Sequence, residues 1–214
     1  INSAGETYRA TNSFSATAGQ SCFLVMADNI TIDCQGYTIT GDNSSNTYGV
    51  HTNKFNATVK NCVIQGFDAG VYIDASNNNT IDNTNITVTV DNLGVIPPYS
   101  SAIMIYNGQY NTVSNSNATS TNGMGIWVWL GGHNTFTNSS GTSLTATGHG
   151  MAFGGSSSNT ITNSVGTATS LYGIYLYTSS NNNIVTNSTG ISDGAMGIGI
   201  AGTDANVFTN CTGI

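Results

Sequence analysis

The feature that most constrains this chain is a short strand-like segment that returns about every 23 residues. It reads GVHTN from Gly49, GVYID from Gly70, AIMIY from Ala102 and GIWVW from Gly125, then GMAFG from Gly150, GIYLY from Gly173 and GIGIA from Gly197. The spacings are 21, 32, 23, 25, 23 and 24 residues. A second segment follows each copy: ATVKNC at 57–62, NTIDNT at 79–84, NTVSNS at 111–116, NTFTNS at 134–139, NTITNS at 159–164, NIVTNS at 183–188 and NVFTNC at 206–211. CFLVM (22–26) and ITIDC (30–34) look like the same pair one coil earlier. A period of this length, with two-residue alternation and no helical pattern, predicts a β-solenoid in which each strand pairs with its equivalent one coil away. A leucine-rich repeat would need a Leu scaffold that is absent, and a propeller would need about twice the period.

Alternation assigns the faces. Val50, Val71, Ile103, Ile126, Met151, Ile174 and Ile198 are expected to point inward, as are Thr52, Ile73, Ile105, Val128, Phe153, Leu176 and Ile200. The second segments add Ile32, Val59, Ile81, Val113, Phe136, Ile161, Val185 and Phe208 to the core. Asn83, Asn115, Asn138, Asn163, Asn187 and Asn210 recur after the second strand and should stack as a scaffold ladder. The expected architecture is all-β: a single-stranded right-handed parallel β-helix of about eight coils of roughly 23 residues. Residues 1–21 form a lead-in or cap, and 22–214 form the helix, with an insertion at 85–101 that carries Pro97 and Pro98 and should protrude as a loop.

The repeats, with their NxTIxNS segments and the opening NITIDCQGYTITG, resemble the right-handed parallel β-helix repeat family. That group includes pectate-lyase-like enzymes, periplasmic copper-handling accessory proteins of the NosD type, and many surface proteins. The resemblance covers roughly residues 20–214 and implies the fold, while function has to be argued from particular residues.

Charged residues make up only 6% of the chain, and the formal charge is −7. With three basic residues (Arg9, Lys54, Lys60), nucleic acid is not an expected partner, because phosphate binding needs clustered cations. No apolar run approaches the roughly 20 residues of a membrane span. Opening on Ile1 fits a processed or excised chain, and the last coil is expected to lie uncovered. Asn-x-Ser/Thr sequons at Asn29, Asn43, Asn56, Asn78, Asn85, Asn117, Asn138, Asn187 and Asn210 are candidate glycan acceptors and favour a secreted or cell-surface location. Cys22, Cys34, Cys62 and Cys211 make an even count. Cys22 and Cys34 share the first coil and are the candidate disulfide. Cys62 and Cys211 sit at equivalent positions six coils apart, about 29 Å, too far to bridge.

The outward positions of the first strand are the informative surface. One row reads Leu24, His51, Tyr72, Met104, Trp127, Ala152, Tyr175, Gly199; the next reads Met26, Asn53, Asp74, Tyr106, Trp129, Gly154, Tyr177, Ala201. Tyr72, Met104, Tyr106, Trp127, Trp129, Tyr175 and Tyr177 are thus expected on one solvent face, where aromatic rings suit sugars or another protein surface. Cross-strand stacking beneath a covering loop would also account for them. Catalytic candidates are weak: Asp74 with His51 as an acid–base pair, and Asp68 nearby. Glycoside hydrolysis needs paired carboxylates, and lyase chemistry would need calcium-binding carboxylates with a basic partner, for which this face offers only Lys54. Asp28, Asp33 and Asp42 lie near turns of the first coil, where calcium is conceivable without a motif. His133 and His149 are separate, and no metal or cofactor site is expected. Two functions follow from the sequence: a structural surface protein that associates with copies of itself through the aromatic strip and by end-to-end stacking, or a carbohydrate-binding or depolymerase-like module.

Overall fold

In the computed structural model, which describes residues 1–89 and 100–214, the backbone winds through three parallel sheets. The first-strand sheet has eight strands, from Phe23–Val25 to Ile198–Ala201. The second-strand sheet has nine, from Thr7–Arg9 to Val207–Thr209. A third sheet, also of nine, runs from Phe14–Ser15 to Thr212–Gly213. Every pairing joins equivalent strands of successive coils, for example Ile103↔Ile126↔Met151 in the first-strand sheet. The expected β-helix is therefore the observed one.

The inward residues named from alternation are buried through the body of the helix, from Val50 and Ile32 to Leu176 and Val185. At the last coil Ile198 and Phe208 are only half-buried and Ile200 is exposed. The lead-in contributes the first strands of two sheets, Thr7–Arg9 pairing with Thr31–Asp33 and Phe14–Ser15 with Ile39 and Thr40. The expected insertion begins as an ordinary coil: Asn85–Val88 pairs with Val63–Gln65 and with Asn117–Ser120 in the third sheet. Its remainder, with Pro97 and Pro98, lies largely outside the described residues.

The third sheet is the element that alternation did not reveal. Its inward side chains shrink along the axis, from Ile39, Ile64 and Ile86 to Ala118, then Gly141, Gly166 and Gly190. Where Ile64 and Ile86 fill the corner, only Gly49 and Gly70 fit opposite them: a Cβ there would meet their Cγ2 atoms at 2.4 and 2.1 Å. Further along, backbone meets backbone. A Cβ on Gly166 would lie 2.1 Å from the Gly173 carbonyl oxygen, and one on Gly173 would lie 2.3 Å from the Ile191 nitrogen. Apolar alternation is invisible where the inward residue is glycine.

Two asparagine ladders run along the axis. The expected one, after the second strand, is exposed; its members take left-handed backbone angles, with φ of 50° at Asn138 and 51° at Asn163, a conformation Asn tolerates. Asn138 donates to Asn115 and Asn163 to Asn138, both at 3.3 Å. A second ladder, Asn79, Asn111, Asn134, Asn159 and Asn183, is buried and better bonded. Each Oδ1 accepts the backbone N–H of the preceding coil, at 2.8 Å for Asn79→Asn111 and Asn111→Asn134 and 2.9 Å for Asn134→Asn159. Turns that leave a sheet must satisfy their buried N–H groups, and this ladder does so.

The disulfide joins Cys34 to Cys62, with Cα atoms 4.7 Å apart, and leaves Cys22 and Cys211 as thiols. This corrects the Cys22–Cys34 pairing expected from shared coil membership. Cys34 and Cys62 follow paired strands of adjacent coils, Thr31–Asp33 and Thr58–Lys60, so the register brings them together. The correction also removes Cys62 from the thiols. Burial pushes the Cys22 thiol up to about 11, so it is protonated at neutral pH.

Candidate functional site

The outward face of the first-strand sheet is built in two rows whose fates differ. The register aligns Tyr72, Met104, Trp127, Ala152 and Tyr175, and beside them Asp74, Tyr106, Trp129, Gly154 and Tyr177. The centre of the first row is not on the surface as expected. Tyr72, Met104, Trp127 and Ala152 are 6, 0, 3 and 0% exposed and form a second apolar cluster with Ala69. Tyr48, Met124, Tyr106, Trp129 and Tyr177 pack against this cluster. The alternation fixed the side of the sheet; it carried no information on what packs over it.

The second row is half-exposed and aromatic. Tyr106, Trp129 and Tyr177 stand at successive positions with Gly154 between the last two. The rings of Trp129 and Tyr177 lean over that glycine: a Cβ on residue 154 would meet Trp129 Cε3 at 2.4 Å and Tyr177 Cζ at 2.7 Å. Their centroids are 5.8 Å apart. Trp127 Nε1–H donates to the Tyr177 hydroxyl at 3.2 Å, tying the buried row to the exposed one. Tyr175 and Tyr177 stack at 4.7 Å with planes 4° apart, and Tyr172 stacks on Tyr175 at 4.3 Å.

Sequence reasoning missed Tyr48, Met124, His149 and Tyr172 as members of this face. All four directly precede the repeated strand-opening glycine (Gly49, Gly125, Gly150, Gly173), and that common place was the available signal. His149 is 8% exposed, its ring 4.7 Å from Tyr175, and its Nδ1 accepts the Tyr172 backbone N–H at 3.2 Å. Burial pushes its pKa down to about 4, so the ring is neutral above that.

At the opposite end of the row, His51 and Asp74 do come together, Nε2 to Oδ2 at 3.7 Å, too long for a hydrogen bond. His51 stacks on Tyr72 at 5.0 Å and 8°. Burial holds its pKa below the usual histidine range, opposed by the Asp74 charge. Among the outward positions of the strands in this sheet, Asp74 is the sole carboxylate. Asp68, the other nearby carboxylate, is buried, accepting the Asn46 N–H at 2.7 Å and the Ser100 hydroxyl at 2.9 Å. The first-coil carboxylates likewise bond to turns of their own or an adjacent coil: Asp28 accepts the Phe55 N–H, Asp33 the Gln35 N–H and the Asn61 amide, and Asp42 the N–H groups of Gly19 and Ser44. Among the described residues no three His, Cys, Asp or Glu side chains converge on a point that would hold a metal ion. His133 is exposed and stacks on Tyr110, away from His149 in sequence.

All nine sequon asparagines lie exposed. Among the described residues no helix is long and apolar enough to cross a membrane. The sequence model of a family described as "right handed beta helix region" matches residues 48–212, most of the chain and all but its first coils. No curated protein matches the sequence.

Proposed function

The chain belongs to the right-handed β-helix family, and on that scaffold we propose that it is a glycan-binding module whose site is the exposed aromatic row of the first-strand sheet. The observation that carries this reading is the graded burial of the two rows. Trp127, Met104 and Tyr72 form an apolar underlayer, Tyr106, Trp129 and Tyr177 are held half-exposed against it, and Tyr175 stacks on Tyr177. Rings fixed by packing on one side offer a rigid stacking surface on the other, at small entropic cost on binding. Sugar rings present apolar C–H faces to such a platform and hydroxyls to its polar margin. Here that margin is Asp74 and His51. With one exposed carboxylate and no clustered cations, the surface favours a neutral glycan over an acidic polysaccharide. A single carboxylate also favours binding over glycosidic cleavage, which uses two.

Self-association through the same face, the other reading of the sequence, has lost Tyr72, Met104 and Trp127 as contact residues, because that row is already buried. A location outside the cytoplasm is supported by the Cys34–Cys62 disulfide and by the exposed sequons. The test is binding to a panel of neutral and acidic polysaccharides, with light scattering on the same samples. Wild-type protein should retain a neutral glycan as a monomer. Trp129→Ala should weaken retention by about tenfold or more, the usual effect of deleting a central aromatic anchor. No retention of any neutral glycan, together with oligomers that Trp129→Ala dissolves, would establish the assembly reading instead. Cleavage products abolished by Asp74→Asn would establish a hydrolase.

A further inference from the structure

The outward face of the second-strand sheet carries a different chemistry from the aromatic row and stands independently of it. Strand pairing places a threonine at the same outward position in every coil from Thr7 to Thr160, seven in succession, and continues the row with Ile184 and Val207. Two residues along each strand lies a parallel row. Its first members are ionisable, with Lys60 3.7 Å from Asp33, but from the fifth coil it becomes Ser114, Thr137, Thr162, Thr186 and Thr209. Across these last five strands neither row holds an ionisable side chain. Each strand is three residues long and in unbroken register, so no bulge bends the face.

The result is a rigid two-dimensional array. Coils repeat at about 4.8 Å and alternate residues of one strand at about 6.6 Å, and β-branched side chains hold nearly fixed χ1 angles. Almost every lattice point presents one hydroxyl, one methyl or both. These two repeats are close to those of the oxygen atoms on the prism face of hexagonal ice. β-propensity alone accounts for β-branched residues but not for hydroxyls kept in two adjacent rows. Nor does it account for the substitutions within the array. Ile184 and Val207 replace threonine while 47 and 52% exposed, which keeps the methyl and drops the hydroxyl. A surface that bound a polymer by hydrogen bonds would lose a contact at each such point. A surface that orders water around methyl groups would not. The lack of charge points the same way, since an ionic partner finds no complement here.

We propose that this face, from Thr112 to Thr209, binds ice: hydroxyls and methyls hold a layer of water in the ice lattice, and the layer merges with a growing crystal front. The third sheet carries one outward threonine row, Thr87, Thr119, Thr142 and Thr167, but the row beside it runs Asn85, Asn117, Ser140, Val165 and Thr189, and its asparagines interrupt the paired array. The exposed Thr147, in a turn outside all three sheets, provides the control.

The experiment is osmometry of the purified chain in dilute buffer, with microscopy of a single ice crystal and ice-affinity partitioning. Wild-type protein should facet the crystal, hold its growth below the melting point, and be enriched in the ice fraction. Thr160→Lys, and separately Thr137→Lys, should abolish all three while leaving the melting curve unchanged. Thr147→Lys should retain them. Ice growth in wild-type protein indistinguishable from that in an inert globular protein overturns the proposal. So does retention of activity in both lysine variants of the array, or an equal loss in Thr147→Lys.

Discussion

Replacing Asn134 by alanine should be among the most destabilising single changes this solenoid permits, although it removes no apolar contact of note. Asn134 is fully buried; its Oδ1 accepts the Asn111 backbone N–H at 2.8 Å and the Asn111 side-chain amide at 3.1 Å, and its Nδ2 donates to the Gly108 carbonyl at 3.0 Å. Truncation orphans the fully buried Asn111 N–H, at about 2 kcal/mol, and removes two more hydrogen bonds at about 1 kcal/mol each. The Asn111 amide keeps Ser76 O and the Gly108 carbonyl keeps the Gly132 N–H, so neither of those is fully abandoned. The expected loss is about 4 kcal/mol. The comparison is Asn138→Gly in the exposed ladder four residues on. Its φ of 50° suits glycine and its amide makes two long, exposed bonds of 3.3 Å, so the expected change is within about 0.5 kcal/mol. Equilibrium urea unfolding reads both as midpoint shifts at constant slope. Amide exchange at Asn111 reads the first locally, in case coils unfold in stages. A loss under about 1 kcal/mol for Asn134→Ala, or an equal loss for Asn138→Gly, would refute the assignment of the buried ladder as the one that stabilises the turns.

Cys62→Ser should lower stability by about 3 kcal/mol, as expected for opening a loop that spans 28 residues, and alkylation without reductant should label Cys22 and Cys211 only, as read by mass spectrometry. His149 is held neutral in the fold with a pKa near 4 against 6.5 when unfolded, so the unfolded state binds its proton first as pH falls. Stability should therefore be at its full value above pH 6.5 and decline toward pH 4, by about 3 kcal/mol for this group, and thermal melts of His149→Phe should show a flatter profile across that window. Gly173→Ala should impair folding outright, because its methyl would sit 2.3 Å from the Ile191 nitrogen and 2.6 Å from the Gly166 oxygen; normal expression and melting would contradict the tight corner.

The parts of this molecule legible in the sequence are those where polarity alternates. Ile103, Ile105 and Val113 announce their inward direction because Met104 apart, their neighbours are polar or lie on a recognisable opposite row, and the spacing of the glycine-led segments gives the coil. The third sheet was silent along its later coils because Gly141, Gly166 and Gly190 stand at its inward positions there. The Cys34–Cys62 bond required the register, since the two residues belong to different repeats. The two asparagine ladders are indistinguishable by residue type and separate only by burial, Asn134 inside and Asn138 outside. At the candidate site, the facing of Tyr72, Trp127 and Met104 was readable, but their burial depends on Tyr48, Met124 and Trp129 packing from the side, a relation set by three dimensions.

The glycine corner also limits how such a chain can lengthen. Where Ile64 and Ile86 fill the angle against Gly49 and Gly70, a coil has a wide cross-section; where Gly166 meets Gly173, it has a narrow one. A tandem copy of a neighbouring coil would stack on its parent without strain. A wide coil transplanted among narrow ones would drive an isoleucine into main chain. Coils should therefore be interchangeable only with neighbours of matching girth, and a chain of this kind can grow by local duplication but not by free shuffling of its repeats.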